Sequence, residues 1–142
     1  MRAKDVMSKE VFILNETDDI FQASKFMKNE RIRNLPVVDK ENKLIGLVTL
    51  REFVDALTTR SKDTTIGDIM LTEVKTLGPE TPLKGAIEVM ILNRFGSMPV
   101  IDNNGKLLGM ISDLDLLKRL YSMSEMPDDF YRMEEKKKSF QV

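Results

Sequence analysis

The 142-residue chain contains neither cysteine nor histidine. Without thiols there are no disulfides, no thiolate metal sites and no cysteine nucleophile; without imidazole, the Ser–His pair and the usual proton shuttle near neutral pH are gone. An excess of one charge is also lacking, since 22 basic and 23 acidic residues leave a net −1. No overall field draws nucleic acid or anionic lipid to such a chain, so an anion has to be held locally. Long apolar runs are missing too. None approaches the roughly 18 residues of a membrane span, and the charged start MRAKDVMSKE has no apolar core of signal-peptide length. A cytoplasmic protein without membrane or nucleic-acid partners is expected. No acid–base pair converges in the sequence, and Asp39 and Asp102 read as turn formers at strand ends. No catalytic residue, metal ligand or required cofactor is assigned, and the chain is read as a non-enzyme.

What is present is enough apolar material for a core, 42% of residues, and an internal duplication. Asp5 aligns with Asp68, and that offset of 63 holds without gaps to Leu57 and Leu120. DVMSKEVFIL (5–14) matches DIMLTEVKTL (68–77), LPVVDKENKLIGLVT (35–49) matches MPVIDNNGKLLGMIS (98–112), and Met27 matches Met90. Two copies of this length are too few for an open solenoid, and each alone would be marginal. The organisation expected is residues 1–60, residues 61–122 and a tail, 123–142, the two copies related by a pseudo-twofold axis.

Periodicity orders the elements within a copy. Val11–Leu14 and Val74–Leu77 are short β-prone runs. A helix follows, capped by Thr81 with Pro82 in its first turn and with Leu83, Ala86, Ile87 and Met90 at helical spacing. Its counterpart starts near Thr17 or Asp18 and turns Ile20, Ala23 and Met27 inward. Two apolar runs come next, with Asn104-Gly105 between those of the second copy as a hairpin signal. A last helix carries Phe53, Val54 and Leu57, or Leu117, Leu120 and Tyr121. The fold class is therefore α/β (α+β), two tandem βαββα units in which the first two strands are parallel and the third is antiparallel. Pro36 and Pro99 set an extended approach to the middle strand, and Gly46 and Gly109 permit close packing or a bulge. Residues 58–65 form a polar linker. In the tail, Pro127 breaks the preceding helix and the charges of Glu134 to Lys138 suit a short helix, with fraying as the plainer reading.

These motifs resemble tandem cystathionine-β-synthase (CBS) domains, the Bateman module, over nearly all of residues 1–122. They are D-V-M or D-I-M near the start, L/M-P-V-V/I-D on the middle strand, and G-h-h-S/T-x-x-D/E into the last helix, where h is apolar, each occurring twice in order. The resemblance implies two related clefts, assembly into a homodimer, and binding of AMP, ADP, ATP or S-adenosylmethionine. It also implies that the hydroxyl of the last motif contacts phosphate, that its acid contacts ribose, and that an Arg before the middle Pro contacts phosphate. Carried over, Ser112 and Asp115 serve in the second copy and Thr49 and Glu52 in the first. Arg33 stands three residues before Pro36, whereas Gly96 stands three before Pro99, so the clefts are not equivalent. Arg94 aligns with Arg31 and is a weaker phosphate candidate. Val11, Ile13, Val74 and Thr76 are candidates for the walls of an adenine slot, with core packing as the plainer reading of such β-prone residues, and Pro36 and Pro99 stand beside them.

The last motif has a physical reading of its own. A strand delivers Ser112 or Thr49 to a helix start, where unpaired N–H groups and the positive dipole end favour an anion, and an Asp three residues on accepts from two vicinal hydroxyls. The competing reading is a capping box. Thr49-x-x-Glu52 fits that box well; Ser112-x-x-Asp115 fits it less well, because Glu or Gln is preferred at the third helical position, so the nucleotide reading is stronger there. Function divides accordingly between a regulatory adenine-nucleotide sensor acting on a separate protein target and a ligand-free scaffold for dimerisation or protein interaction.

Overall fold

The computed structural model describes residues 1–59 and 63–123. The short helix expected beyond Pro127 and part of the linker lie outside these residues. The first copy comprises α1 (Ala3–Val6), α2 (Ile20–Glu30), β1 (Asn34–Val38), β2 (Leu44–Thr49) and α3 (Leu50–Thr59). The second comprises α4 (Ile66–Ile69), α5 (Leu83–Asn93), β3 (Ser97–Ile101), β4 (Leu107–Ser112) and α6 (Asp113–Ser122). No helix among the described residues is long and apolar enough to cross a membrane.

The hairpins form as the turn chemistry dictates. β1 pairs antiparallel with β2, and β3 with β4, each with a bulge, between Val37 and Val38 and between Val100 and Ile101. Asp39 Oδ1 accepts from the N–H groups of Glu41 and Lys43, and Asp102 Oδ1 from those of Asn104 and Lys106. Gly105 takes φ 83°, and Asn42, its repeat counterpart, takes φ 63°, a left-handed conformation that Asn tolerates.

The helix starts correct the sequence reading by one residue. Asp19 caps α2, accepting from the N–H groups of Phe21 and Gln22, and Pro82 stands at the N-cap of α5. Asp18 and Thr81 instead close the preceding turn: Asp18 Oδ2 accepts from Asn15 N–H and Thr81 Oγ1 from Gly78 N–H. Ile20, Ala23 and Met27 of α2 and Ala86 and Met90 of α5 face the core as their spacing requires.

The first strand of each copy shrinks to one bridged residue. Leu14 N–H donates to Pro36 O and Leu14 O accepts from Val38 N–H, the two bonds of a parallel bridge; Leu77 does the same with Pro99 and Ile101. The next pair of the ladder would require Pro36 to donate to Phe12 O, and proline has no N–H. The prolines thus end the parallel ladder that they adjoin.

Each opening segment packs on the opposite copy. Ala3, fully buried, belongs to a core with Leu77, Ala86, Met90, Met98, Val100 and Ile111. Ile66, also fully buried, belongs to the core built on Ile20, Leu35, Val37, Val48 and Phe53. Backbone bonds secure both exchanges: Ala3 N–H to Thr81 O and Ser8 to Met110 on one side, Ile66 N–H to Asp18 O and Leu71 to Leu47 on the other. Each inter-copy bridge has an equivalent with the copies interchanged. Arg2–Pro82 mirrors Asp19–Thr65, Ser8–Met110 mirrors Leu47–Leu71, and Lys43–Lys106 is its own equivalent. This is the pseudo-twofold relation expected from the repeat.

The exchange requires glycine where the segments cross the sheet. A Cβ on Gly109 would lie 2.5 Å from Ser8 O, and one on Gly46 would lie 2.9 Å from Leu71 O. Gly109→Ala is expected to lower the unfolding free energy by about 1–3 kcal/mol. Gly85→Ala, within α5 and with nothing within 4 Å of the added carbon, should raise it by about 0.5–1 kcal/mol. Urea unfolding of both variants checks this. A Gly109→Ala protein as stable as the parent would show that the first segment does not press on β4.

Candidate functional site

Among the described residues, two pseudo-symmetric clefts open where the copies meet, and each draws residues from both. The larger, about 580 Å³, is bounded by Ser8 and Val11 of the first segment, Arg31 and Arg33 beyond α2, and Ser112 and Asp115 at the start of α6. The smaller, about 220 Å³, holds the pseudo-symmetric set, with Thr49 at the end of β2 facing Leu71, Val74, Arg94 and Pro99. The crossing explains the mixture, because the first segment runs along β4 and its counterpart along β2.

The polar groups of the larger cleft are fixed by local structure. Ser112 caps α6: its Oγ accepts from Asp115 N–H at 3.1 Å, while Asp115 Oδ2 accepts from Ser112 N–H and from Ser112 Oγ, both at 2.9 Å. The reciprocal box is therefore complete at Ser112–Asp115, where the sequence preference for Glu made it the poorer candidate. Capping leaves Oδ1 turned outward, where it accepts from Ser8 Oγ at 2.9 Å. At the other cleft Glu52 reaches back to Thr49 N–H at 3.0 Å and to Thr49 Oγ1 at 2.9 Å, which occupies its carboxylate in the same task.

The cationic groups reach the clefts through a backbone device. Arg31 and Arg94 end α2 and α5 in the left-handed conformation, both at φ 56° and ψ 40°. A non-glycine residue there costs on the order of 1–2 kcal/mol. The turn brings the chain from the helix into β1 or β3, and Arg33 follows at the larger cleft; the matching position at the smaller one is Gly96.

Of the residues singled out in the sequence, Val11, Arg33, Ser112 and Asp115 meet in the larger cleft and Thr49, Val74, Arg94 and Pro99 in the smaller. Glu52, Ile13, Thr76 and Pro36 are not among the residues lining either. Pro36 is fully buried and Ile13 is 45% exposed. Alternation from Val11 to Ile13 does not hold because only Leu14 of that segment is in register with a strand. Ser8, Glu10, Phe12 and Arg31 are among the further lining residues of the larger cleft that the motifs do not mark. The repeat alignment does mark Ser8, which faces Leu71, as a place where the copies differ in chemistry. Its position across the cleft follows from the exchange of segments, which no local pattern encodes.

Comparison with known proteins accords with this architecture. The CBS domain family profile matches residues 3–59 and 66–122. The chain is 30% identical over 125 residues to the uncharacterized 17.7 kDa protein in the bps2 3' region of Acidianus ambivalens, covering 88% of this chain and 76% of that protein. It is 33% identical over 118 residues to inosine-5'-monophosphate dehydrogenase of Methanocaldococcus jannaschii, covering 83% of this chain and 23% of the enzyme. Among solved structures it is similar to the CBS domain pair of protein MJ0100 in complex with 5'-methylthioadenosine and S-adenosyl-L-methionine, with a TM-score of 0.75 and 25% identity. That likeness covers 87% of this chain and 98% of the other. With the duplication, the hairpins and the paired clefts all in place, the chain belongs to the CBS domain family as a tandem pair.

Proposed function

We propose that this chain is a regulatory module that binds an adenosine-containing ligand, AMP, ADP, ATP or S-adenosylmethionine, in the larger cleft and acts on a separate protein target. The observation that carries this reading is the convergence in one cleft of Asp115, Ser112, Arg33 and Val11. Asp115 Oδ1 accepts a ribose hydroxyl. The Arg33 guanidinium holds an anionic group, while Ser112 fixes the Asp115 carboxylate through its N–H and Oγ. Val11 forms an apolar wall for the base. The CBS pair of MJ0100, a relative at 25% identity, is described in complex with two adenosyl compounds, and this supports the ligand class. The smaller cleft is the weaker site, since it lacks a counterpart of Arg33 and the Glu52 carboxylate is spent on Thr49.

The module works as a sensor to the extent that the ligand binds one arrangement of the copies, or of two subunits, better than another. A scaffold that binds no nucleotide is the second reading, and exposed apolar side chains favour it. Val54 and Leu57 of α3 are 54% and 43% exposed, and their repeat equivalents Leu117 and Leu120 of α6 are 61% and 66% exposed. Four equivalent apolar positions on a pseudo-symmetric pair suit a homodimer, which both readings include.

Two experiments test these assignments. Titration calorimetry of ligand-free protein with the four ligands should show micromolar binding of at least one. Asp115→Ala, confirmed to be folded, should weaken it by ~1.5–3 kcal/mol, about tenfold to more than a hundredfold. Unchanged affinity would remove Asp115 from the site, and no heat with any ligand would favour the scaffold. Light scattering should report a dimer for the parent protein and a monomer for the double variant Leu117→Glu, Leu120→Glu. A monomeric parent would remove the dimer from both readings.

A further inference from the structure

Ser8 bears on the larger cleft in a way that the assigned ligand contacts do not include. It belongs to the first copy in sequence but is fixed to the second by its backbone: its N–H donates to Met110 O at 2.8 Å, and its carbonyl accepts from Met110 N–H at 3.0 Å. From that position its hydroxyl donates to Asp115 Oδ1 at 2.9 Å. A carboxylate offers about four lone-pair positions. Ser112 N–H and Ser112 Oγ take two on Oδ2 and Ser8 takes one on Oδ1, so only one remains. A vicinal diol needs two.

One of the present donors must therefore leave when a ribose binds. Ser112 is tied in twice over, because its Oγ also accepts from Asp115 N–H and its own N–H is part of the helix cap. The Ser8 hydroxyl turns away by rotation about one side-chain bond while its backbone bonds to Met110 stay in place. We infer that the Ser8 hydroxyl is a built-in stand-in for a ribose hydroxyl, which holds the Asp115 carboxylate until a ligand binds and is displaced by the diol of that ligand. The inference rests on the reading of Asp115 as the ribose acceptor and sets how tightly that site binds. Ser8 is a positioning and competing residue and not a contact of the bound ligand. The smaller cleft has no such competitor, for Leu71 stands at the equivalent position. By reciprocity, the ligand removes one of the bonds that tie the first segment to α6. Another, Arg119 Nη2 to Asp5 O, lies outside the cleft and persists.

The test compares Ser8→Ala and Ser8→Thr with the parent protein by titration calorimetry. The probes are AMP and S-adenosylmethionine, which carry the diol, and 2′,3′-dideoxy-AMP, which does not. Ser8→Ala should bind a diol-bearing probe about two- to tenfold more tightly, the size of one net hydrogen bond. Its affinity for the dideoxy nucleotide should equal the parent's, and Ser8→Thr, which keeps the hydroxyl, should behave as the parent. Weaker binding of the diol probes by Ser8→Ala would make Ser8 a direct ligand contact and overturn the inference. So would unchanged binding, or an equal gain for the dideoxy nucleotide, which would mark a packing effect. In all three cases the nucleotide site itself stands. Absence of binding by parent and variants alike would instead remove the nucleotide reading, and this inference with it.

Discussion

The exchange of opening segments is the constraint on which the rest of the structure depends. A unit of about sixty residues buries too little surface to be comfortably stable alone. Here each unit leaves a gap in its core that the other fills, Ala3 in one and Ile66 in the other, both fully buried. The same segments add a bridged residue to the free side of each hairpin, Ser8 to β4 and Leu71 to β2. Their crossing also creates the clefts, because each segment leaves its partner's sheet beside the start of that sheet's last helix. Core completion, edge protection and site formation are thus three results of one arrangement.

Much of this was legible in the sequence, and the reasons differ by element. The duplication, the two hairpins and the inward faces of α2 and α5 follow from patterns whose physics is local: gapless self-similarity, Asp-led turns, and apolar side chains at helical spacing. The caps were displaced by one residue because Asp18 and Asp19 are both competent acceptors, and only the geometry of the preceding turn decides which faces Asn15 and which faces the helix. The first strands are shorter than their β-propensity implies, because the missing N–H of Pro36 and Pro99 matters only beside the strand that would accept from it. The exchange itself has no local signature. Hence the place of Ser8 in the larger cleft cannot be read from its own segment.

In the larger cleft a complete capping box still leaves one carboxylate oxygen facing outward. Oδ2 and the Ser112 donors close the helix start, while Oδ1 faces the cleft. The helix cap draws on one side of the carboxylate and leaves the other to the cleft. At Thr49–Glu52 the longer side chain folds back with both oxygens on Thr49, so that the division of labour is lost. One methylene distinguishes the clefts more sharply than the overall likeness of the two copies suggests.

The self-equivalent bridge at Lys43 and Lys106 places the axis between the copies at the tips of the two hairpins. A single unit with this sequence pattern could satisfy its own gap only by meeting a second molecule of itself, and its folding would then depend on concentration. Joining two units in one chain replaces that encounter with an intramolecular one at an effective concentration on the order of millimolar. Gene fusion here does more than double a domain: it makes foldedness independent of abundance, and it releases each copy from having to match itself. A site can then differ from its twin, with serine on one side and leucine on the other, because the two halves of the molecule are inherited together but need no longer be the same.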